Sequence, residues 1–515
     1  MKKANIWNII SFFVWLALII SEVMAIIQIL QLNMLPDKYL LLLVVTFVLL
    51  ALLLGLMMYQ QQGKYQKKQL HIRQIIAYIL SLLIIIGCGV ICHAADKVNK
   101  TIDKITTTPE ISAIVDVYVM NEDPAREITD LKDYAFAVTE VYDRENTQQA
   151  IADIEALLGS KISTVTYPSV FAMIDALYAG EINAMFLNSA YVDILEDLEA
   201  YADFTAKVRV IYECEIEEKN PVVVPGPSEG TTDTTSQGTT PVDNDAPLAP
   251  FIVYLGGSDT RSKLLVNSRN DVNILAVVNP QTKQILLVNT PRDYYIPNPA
   301  GKGANDKLTH CGIYGVDNSI KALENLYDID ISYYARINFT GFETLIDAVG
   351  GVTVYSEESF HALTGNYYFK KGENYLNGKE ALAFARERYA LSGGDNARGK
   401  NQMKIIAAVI QKMSSASTLI SNYASILNSM QGMFVTDVPQ ERISDLVKMQ
   451  LSDMPEWNVL SYAVSGTGGE NTTYSMPSVP LYVMYPNEAA VNHGAQLIDR
   501  VLAGEILTSE DLAVK

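Results

Sequence analysis

Three apolar runs dominate the first hundred residues: Trp7 to Leu30, Tyr39 to Tyr59 and Ile75 to Cys92. Each is close to the roughly 20 residues that a helix needs to cross about 30 Å of hydrocarbon. A secretory signal would show one shorter run and a small-residue cleavage site, and buried helices of a soluble domain rarely run so long without charge. Residues 1–95 are therefore expected to form three transmembrane helices. From Lys97 to Thr108 the pattern is mixed and reads as a helical or flexible stalk. Between Ile111 and about Glu218 the apolar period alternates between two and 3.6. ISAIVDVYVM, YAFAVTEV and KISTVTY read as strands and QQAIADIEALLG as a helix closed by Gly159. SVFAMIDALYAGEINAMFLN reads as a helix, a stop at Gly180 and a strand. Residues 96–218 thus hold a stalk and a small α/β accessory domain. Its carboxylates are scattered and form no motif, so it is read as a binding or spacing module.

From 219 to 250 the chain is rich in Pro, Thr, Gly, Ser and Asp and nearly free of large apolar residues, the composition of a disordered linker. A larger domain over 251–505 follows, and 506–515 is a tail. FIVYLGG, VNILAVVNP and QILLVN read as three strands, the last two joined by so short a turn that they must be antiparallel. The start of the second then lies beside the end of the third. If the first strand runs with the third, Asp259, Arg261, Asp271, Arg292 and Asp293 gather along one sheet edge, with Arg269 just before the second strand. Further on, LNGKEALAFARERY begins as a helix and carries Arg386 and Arg388 past its end, where residues two apart share a face. Asp395 is expected to cap the next helix, with Met403, Ile406, Ile410 and Met413 burying one side. Arg398 and Gln402 would share another face in its first turns, and an arginine at a helix amino terminus is a ready anion site.

Charge sets the orientation. Lys2 and Lys3 precede the first span, Lys64, Lys67, Lys68 and Arg73 separate the second from the third, and the link between the first two holds only Asp37 and Lys38. Positive loops stay in the cytoplasm, so the amino terminus is expected inside and everything after Ala95 outside. Glu22, costly inside the first span, reads as a packing or assembly residue. The formal charge of −19 falls on the exterior portion and argues against nucleic acid as a partner. Cys88 and Cys92 lie in the third span and Cys214 and Cys311 outside it. A Cys214–Cys311 disulfide is left open, and no Cys/His spacing suggests zinc.

Five or six arginines with several aspartates, and no histidine, serine or cysteine motif beside them, suit planar bidentate binding of phosphate or pyrophosphate. Paired aspartates such as Asp259 and Asp271 suit magnesium, which takes one or two carboxylates plus phosphate oxygens. Phosphoryl transfer needs these parts. A surface ion-pair network is the alternative.

The order of the motifs resembles the LytR-CpsA-Psr (LCP) family of cell-wall glycopolymer ligases. The matching pieces are GGSDTR (256–261), RND (269–271), TPRD (290–293), DKLTHCGIYG (306–315), FTGFETLIDAVGGV (339–352), LNGKEALAFARER (376–388) and GDNARGKNQ (394–402). A weaker match runs through YSMPSVPLYVMYPNEAA (474–490). Three amino-terminal spans and an intervening domain are also similar to the capsule-type members. The resemblance implies an α/β/α domain with a mixed central sheet and a long apolar pocket for a polyisoprenyl chain. It implies transfer of a phosphoglycosyl polymer, capsular or teichoic-acid-like, from an undecaprenyl pyrophosphate carrier to a peptidoglycan hydroxyl outside the membrane. Carried over, Asp259 and Asp271 would hold Mg2+. Arg261, Arg269, Arg292, Arg386, Arg388 and Arg398, with Gln402, would bind the pyrophosphate, and Asp395 or Asp293 would orient or deprotonate the acceptor. The segments around Phe339, Phe342, Leu345, Ile346 and Val349 would line the lipid pocket, with core packing as their other role. The chain departs from the family pattern at Asn270, at Thr290 and in the missing arginine before Gln402. A lipid-pyrophosphate phosphatase with water as acceptor, and a non-enzymatic envelope sensor or transcription attenuator, are the competing readings.

Overall fold

The structure is a computed structural model that describes residues 6–59, 67–107, 111–139, 143–196, 198–217, 248–258, 266–415, 426, 429 and 432–514. All but the last three residues of the linker expected over 219–250 lie outside that set. The chain divides into two compact units, residues 1–106 with 411–431 and 438–456, and residues 107–410 with 432–437 and 457–515.

In the first unit the three apolar runs form helices α1 (Ile6–Leu32), α2 (Asp37–Met58) and α3 (Lys67–Thr107), each long and apolar enough to cross a membrane. At 1.5 Å per residue α3 extends roughly 60 Å, about twice the hydrocarbon thickness, so the expected stalk continues the third span as helix. Polar side chains face inward: Trp15 Nε1 donates to the Ala51 carbonyl at 2.8 Å and Gln74 Nε2 to that of Met58 at 2.9 Å. Glu22 is buried among the helices, where its Oε1 has no hydrogen-bond partner among the described residues. A later helix, Gln440–Asp453, belongs to this unit. Its Ser444 hydroxyl donates to the Leu32 carbonyl at 3.3 Å, and Lys448 pairs with Asp37 at 2.9 Å, both at the α1–α2 link.

The second unit opens with the accessory domain. Strands β1 (Ile111–Met120), β2 (Ala135–Thr139), β3 (Ser163–Tyr167), β4 (Ala184–Asn188) and β5 (Val208–Glu217) form one mixed sheet in the order β3-β2-β4-β1-β5. Helix α4 (Arg144–Leu158) ends at Gly159 in the left-handed region, and Gly180 takes the same region just past α5 (Val170–Tyr178), as the two glycine stops require. One face of the sheet packs on α4 through Ala150 and Ile154. The core on the other face holds Tyr118, Phe171, Ile174 and Tyr191 together with Ile313, Met476 and Leu481 of the larger domain. The accessory domain therefore shares a core with its neighbour. Cys214 and Cys311 are both free and buried in different cores, so no disulfide joins them.

The larger domain is built on β6 (Phe251–Ser258), β7 (Asn270–Asn279) and β8 (Gln284–Asn289), successive antiparallel neighbours as the short 280–283 turn demands. Two strands join in parallel, Tyr333–Asn338 beside β6 and Asn458–Ala463 beside β8. Phe434–Thr436 completes a six-stranded mixed sheet on the outer edge of Tyr333–Asn338. Alternation along the strands sends Ile252, Tyr254, Leu275, Val277, Leu286 and Val288 to one face. There they meet Ile320 and Leu323 of helix Val316–Tyr327 and Leu497, Ile498 and Val501 of helix Glu488–Leu502. Asn289 points to the opposite face, against Gly399 of helix Gly394–Met413. The α/β/α arrangement follows.

Leu481 lies in the core shared by the two domains. Replacing it with Ala should cost about 2–5 kcal/mol. Because the core is common, calorimetry of the full chain should show the loss in both domains together. A drop confined to one transition would show that the domains fold independently.

Candidate functional site

The carboxyl ends of β6, β8 and the two parallel strands, with the amino end of β7, meet at one edge of the central sheet. Side chains leaving that edge converge, as ligand sites in open α/β sheets tend to. Arg292 follows β8 and Asp271 opens β7. The antiparallel β7–β8 pairing brings them together, and Arg292 Nη1 donates to Asp271 Oδ1 at 2.7 Å. Arg292 Nε lies 3.7 Å from Asp293 Oδ2, and Lys307 Nζ donates to Asp293 Oδ1 at 3.1 Å. Arg398 enters from helix Gly394–Met413 and pairs with Asp395 one turn before it. A Cβ on Gly399 would stand 2.3 Å from the Asn289 amide, so glycine there is what lets Arg398 reach the strand edge.

The electrostatics tie these groups into one cluster. Burial pushes the Asp271 carboxyl up, but Arg292, Arg398 and Arg269 outweigh it and hold it below the ordinary carboxylate range. Asp293 is likewise held down, by Lys307 and Arg292 against burial. Burial lowers Arg398, Asp395 opposes that, and the Arg292 charge alongside lowers it further. A guanidinium does not give up its proton, so that depression measures how poorly the cation is compensated. An incoming anion would relieve it.

Beneath the cluster a buried network fixes the start of β7. The Asn270 amide donates to the Tyr254 hydroxyl and to Ser319 Oγ, each at 3.0 Å, and the Tyr254 hydroxyl donates to Asn273 Oδ1 at 2.9 Å. Asn270 is thus a structural strut. Arg336, fully buried on Tyr333–Asn338, donates to Asn267 Oδ1 at 3.3 Å and the Val266 carbonyl at 3.2 Å, bracing the segment before β7.

Arg386 is the last residue of helix Gly378–Arg386, and Glu387 is already extended. Glu387 turns inward and accepts from the amides of Leu363 (2.7 Å), Arg388 (3.0 Å) and Ala390 (2.9 Å). Arg386 and Arg388 therefore share the outward side, as expected. The Arg386 guanidinium lies 4.4 Å from the Phe339 ring centre, and Arg388 packs on Tyr389. Tyr482 lies near Arg388, Asp293 and Asp395: burial raises its hydroxyl above the usual range, the two carboxylates add to that and Arg388 opposes it.

The structure thus brings together Arg269, Arg292, Arg398, Asp271, Asp293 and Asp395, with Arg388 nearby through Tyr482, while Arg386 is placed against Phe339. Asp259 and Arg261 lie outside the described residues. Asp395 does not cap its helix: the helix already starts at Gly394, and the carboxylate sits within the first turn against Arg398. Gln402 is buried and donates to the Ala385 carbonyl at 3.3 Å, clamping two helices next to Arg386. In the same helix Met403 and Ile405 are buried, while Ile406, Ile410 and Met413 are only half-buried. Of the expected lipid-pocket residues, Ile346 and Val349 are core, and Phe339, Phe342 and Leu345 are half-buried. Lys307 and Tyr482 carried no sequence signal beyond their motifs.

Among the described residues no three His, Cys, Asp or Glu side chains form a metal cage. Asp271 offers a carboxylate whose Oδ1 is taken by Arg292. That donor set fits a cation that draws most of its shell from water and phosphate oxygens, as magnesium does.

Residues 227–484 match the LytR_cpsA_psr family. A polyisoprenyl-teichoic acid–peptidoglycan teichoic acid transferase TagU of Bacillus cereus is 36% identical over 200 residues, 39% of this chain and 64% of that protein. Its namesake from Enterococcus faecalis is 37% identical over 191 residues, 37% of this chain and 62% of that one. The chain thus matches a little under two thirds of these relatives' length. The crystal structure of B. subtilis TagV is similar at 24% identity, with a TM-score of 0.42 over 50% of this chain and 99% of that one.

Replacing Asp271 with Asn should cost about 3 kcal/mol, because buried Arg292 would lose the nearer of its two carboxylate partners and keep only Asp293. Asp271 and Asp293 are held below their unfolded values. Their stabilisation is therefore complete above about pH 4 and is lost as pH falls through the depressed values. Melting temperature against pH should fall steeply on the acid side for the native chain and less steeply for D271N.

Proposed function

The chain belongs to the LytR-CpsA-Psr family, and we propose that it transfers a phosphoglycosyl polymer from an undecaprenyl pyrophosphate carrier to a peptidoglycan hydroxyl outside the membrane. The observation that carries this reading is the convergence of Arg269, Arg292 and Arg398 on Asp271 at one sheet edge. A diphosphate is the ligand that such a cluster compensates best, since it offers several oxygens to planar donors. The names of the transferase relatives support the same chemistry.

In this reading Arg292, held in place by Asp271 and Asp293, and Arg398, poorly compensated until an anion arrives, grip the diphosphate and spread the charge of the transferred phosphoryl group. Arg386 and Arg388 bind it from the outward side, and Arg261 joins them. Asp271 and Asp259 would hold Mg2+, which supplies further neutralisation of phosphate charge when bound. The acceptor hydroxyl oxygen attacks the phosphorus attached to the polymer, the bond to the lipid-side phosphate oxygen breaks, and undecaprenyl phosphate leaves. The hydroxyl proton passes to a carboxylate. Asp395, paired with Arg398, and Asp293, held by Lys307 and Arg292, are the two candidates for that role. The half-buried Phe339, Phe342 and Leu345, starting under the Arg386 guanidinium, offer the polyprenyl chain an apolar path. The amino terminus lies in the cytoplasm. The lysines and arginine that flank the amino-terminal end of α1 and the α2–α3 loop support this.

Full-length protein in detergent with Mg2+ should move a lipid-pyrophosphate-linked glycan onto peptidoglycan oligomers. Arg398→Ala should lower the rate by about 10²–10³, the usual loss for one charge-stabilising donor, with the fold retained. Chelation of Mg2+ should abolish turnover. Polymer phosphate released to water with no peptidoglycan adduct would make the protein a phosphatase, and unaltered turnover in R398A would reject the assignment.

A further inference from the structure

Past the parallel strand Tyr333–Asn338, two small hairpins extend from the larger domain. Val352–Ser356 pairs with Gly372–Leu376, and Phe360–His361 pairs with Tyr368–Phe369. Between them and the start of helix Gly378–Arg386 lies a cleft of about 370 Å³, within the usual range for small-ligand sites. Tyr367, Tyr368 and Tyr375 line it together with Lys370, Glu373 and Glu380. Tyr368 and Tyr375 are 59% and 65% exposed, far more than packing would leave such large rings.

The rings are nevertheless held in place. Tyr368 packs against His361 with ring centres 4.8 Å apart and planes tilted by 43°, and the Tyr375 hydroxyl donates to the Gly350 carbonyl at 2.9 Å. Glu380 is fixed by the capping box at Asn377. Preset tyrosines supply contact area at low entropic cost, and their faces suit the C–H faces of sugar rings while carboxylate and ammonium groups bond the hydroxyls.

Charge selects among glycans. Lys370 against Glu373 and Glu380 leaves the lining at −1, which disfavours a polyanionic polymer and admits an uncharged strand. The cleft is also tied to the arginines. Glu380 and Arg386 stand six residues apart on one helix, roughly 9 Å along its axis, and Leu363 of the second hairpin donates to Glu387 between Arg386 and Arg388.

We infer that this cleft is a saccharide subsite that holds the uncharged glycan strand of the acceptor beside the phosphotransfer site. The inference rests on the ligase reading and names the side from which the acceptor approaches.

The test uses full-length protein in detergent and a soluble tetramer of β-1,4-linked N-acetylglucosamine as probe, titrated by calorimetry. Native protein should bind it, Tyr368→Ala should weaken binding at least tenfold, and Tyr368→Phe should stay within about threefold. Glu373→Lys, on an exposed position, turns the lining from −1 to +1 and should admit a polyglycerol phosphate probe that the native cleft refuses. Equal binding by the native protein and Y368A, or tight polyglycerol phosphate binding by the native cleft, overturns the inference. Tyrosine-dependent binding without any transfer would keep the subsite and sink the ligase reading. Transfer whose acceptor KM is indifferent to Y368A would do the reverse.

Discussion

The site depends on one ion pair. Arg292 and Asp271 meet at 2.7 Å at the sheet edge, and every other charged group there is arranged about them. Two buried guanidinium groups repel strongly where the local dielectric is low, and removing charges from water costs several kcal/mol per ion. Asp271, Asp293 and Asp395 offset this, but not fully, as the depressed Arg398 indicates. A site built this way stands ready for negative charge.

The backbone makes the cluster possible at little cost. A four-residue turn between β7 and β8 forces the two strands antiparallel, so a motif that opens one and a motif that follows the other must be neighbours. Gly399 lets a helix approach within a side chain's width of Asn289 and presents Arg398 to the same edge. Asn270 and Tyr254 then lock the first residues of β7 from below. Each piece is local, and only the sheet joins them.

That is why much of the site was legible beforehand. Strand periodicity and turn length were enough to place Asp271 beside Arg292, and the helix end at Glu387 was enough to set Arg386 and Arg388 on one side. What escaped the sequence depended on tertiary distance. Lys307 sits fourteen positions beyond Asp293 and reaches it only through the path of the chain after β8. Tyr482 is nearly a hundred residues from Arg388. Arg336 looks like a surface charge in a strand of alternating pattern, yet it is fully buried, with two groups just before β7 accepting hydrogen bonds from it. Asp395 shows the opposite error. Its residue type favours a cap, but an i to i+3 arginine competes for the carboxylate, and the ion pair wins.

The accessory domain alters how the whole exterior portion should be viewed. Composition alone suggested a module hung on a linker, since nothing in its sequence points toward the larger domain. In the structure Tyr191 is fully buried, with its hydroxyl beside that of Tyr314. Tyr314 bonds Ser475 at 3.1 Å, and Ser475 donates to Asp306 at 2.5 Å. Asp306, which also holds His310 at 2.7 Å, is the residue before Lys307, and Lys307 holds Asp293 in the arginine cluster. The polar path from the accessory core to the site is thus continuous. Continuity by itself does not make a relay, because coupling requires an element with two arrangements that both ends can bias. Asp306 is saturated with partners and fully buried, which favours one arrangement over two. The path therefore acts as bracing: the accessory domain helps fix Lys307, and through it the carboxylate that steadies Arg292.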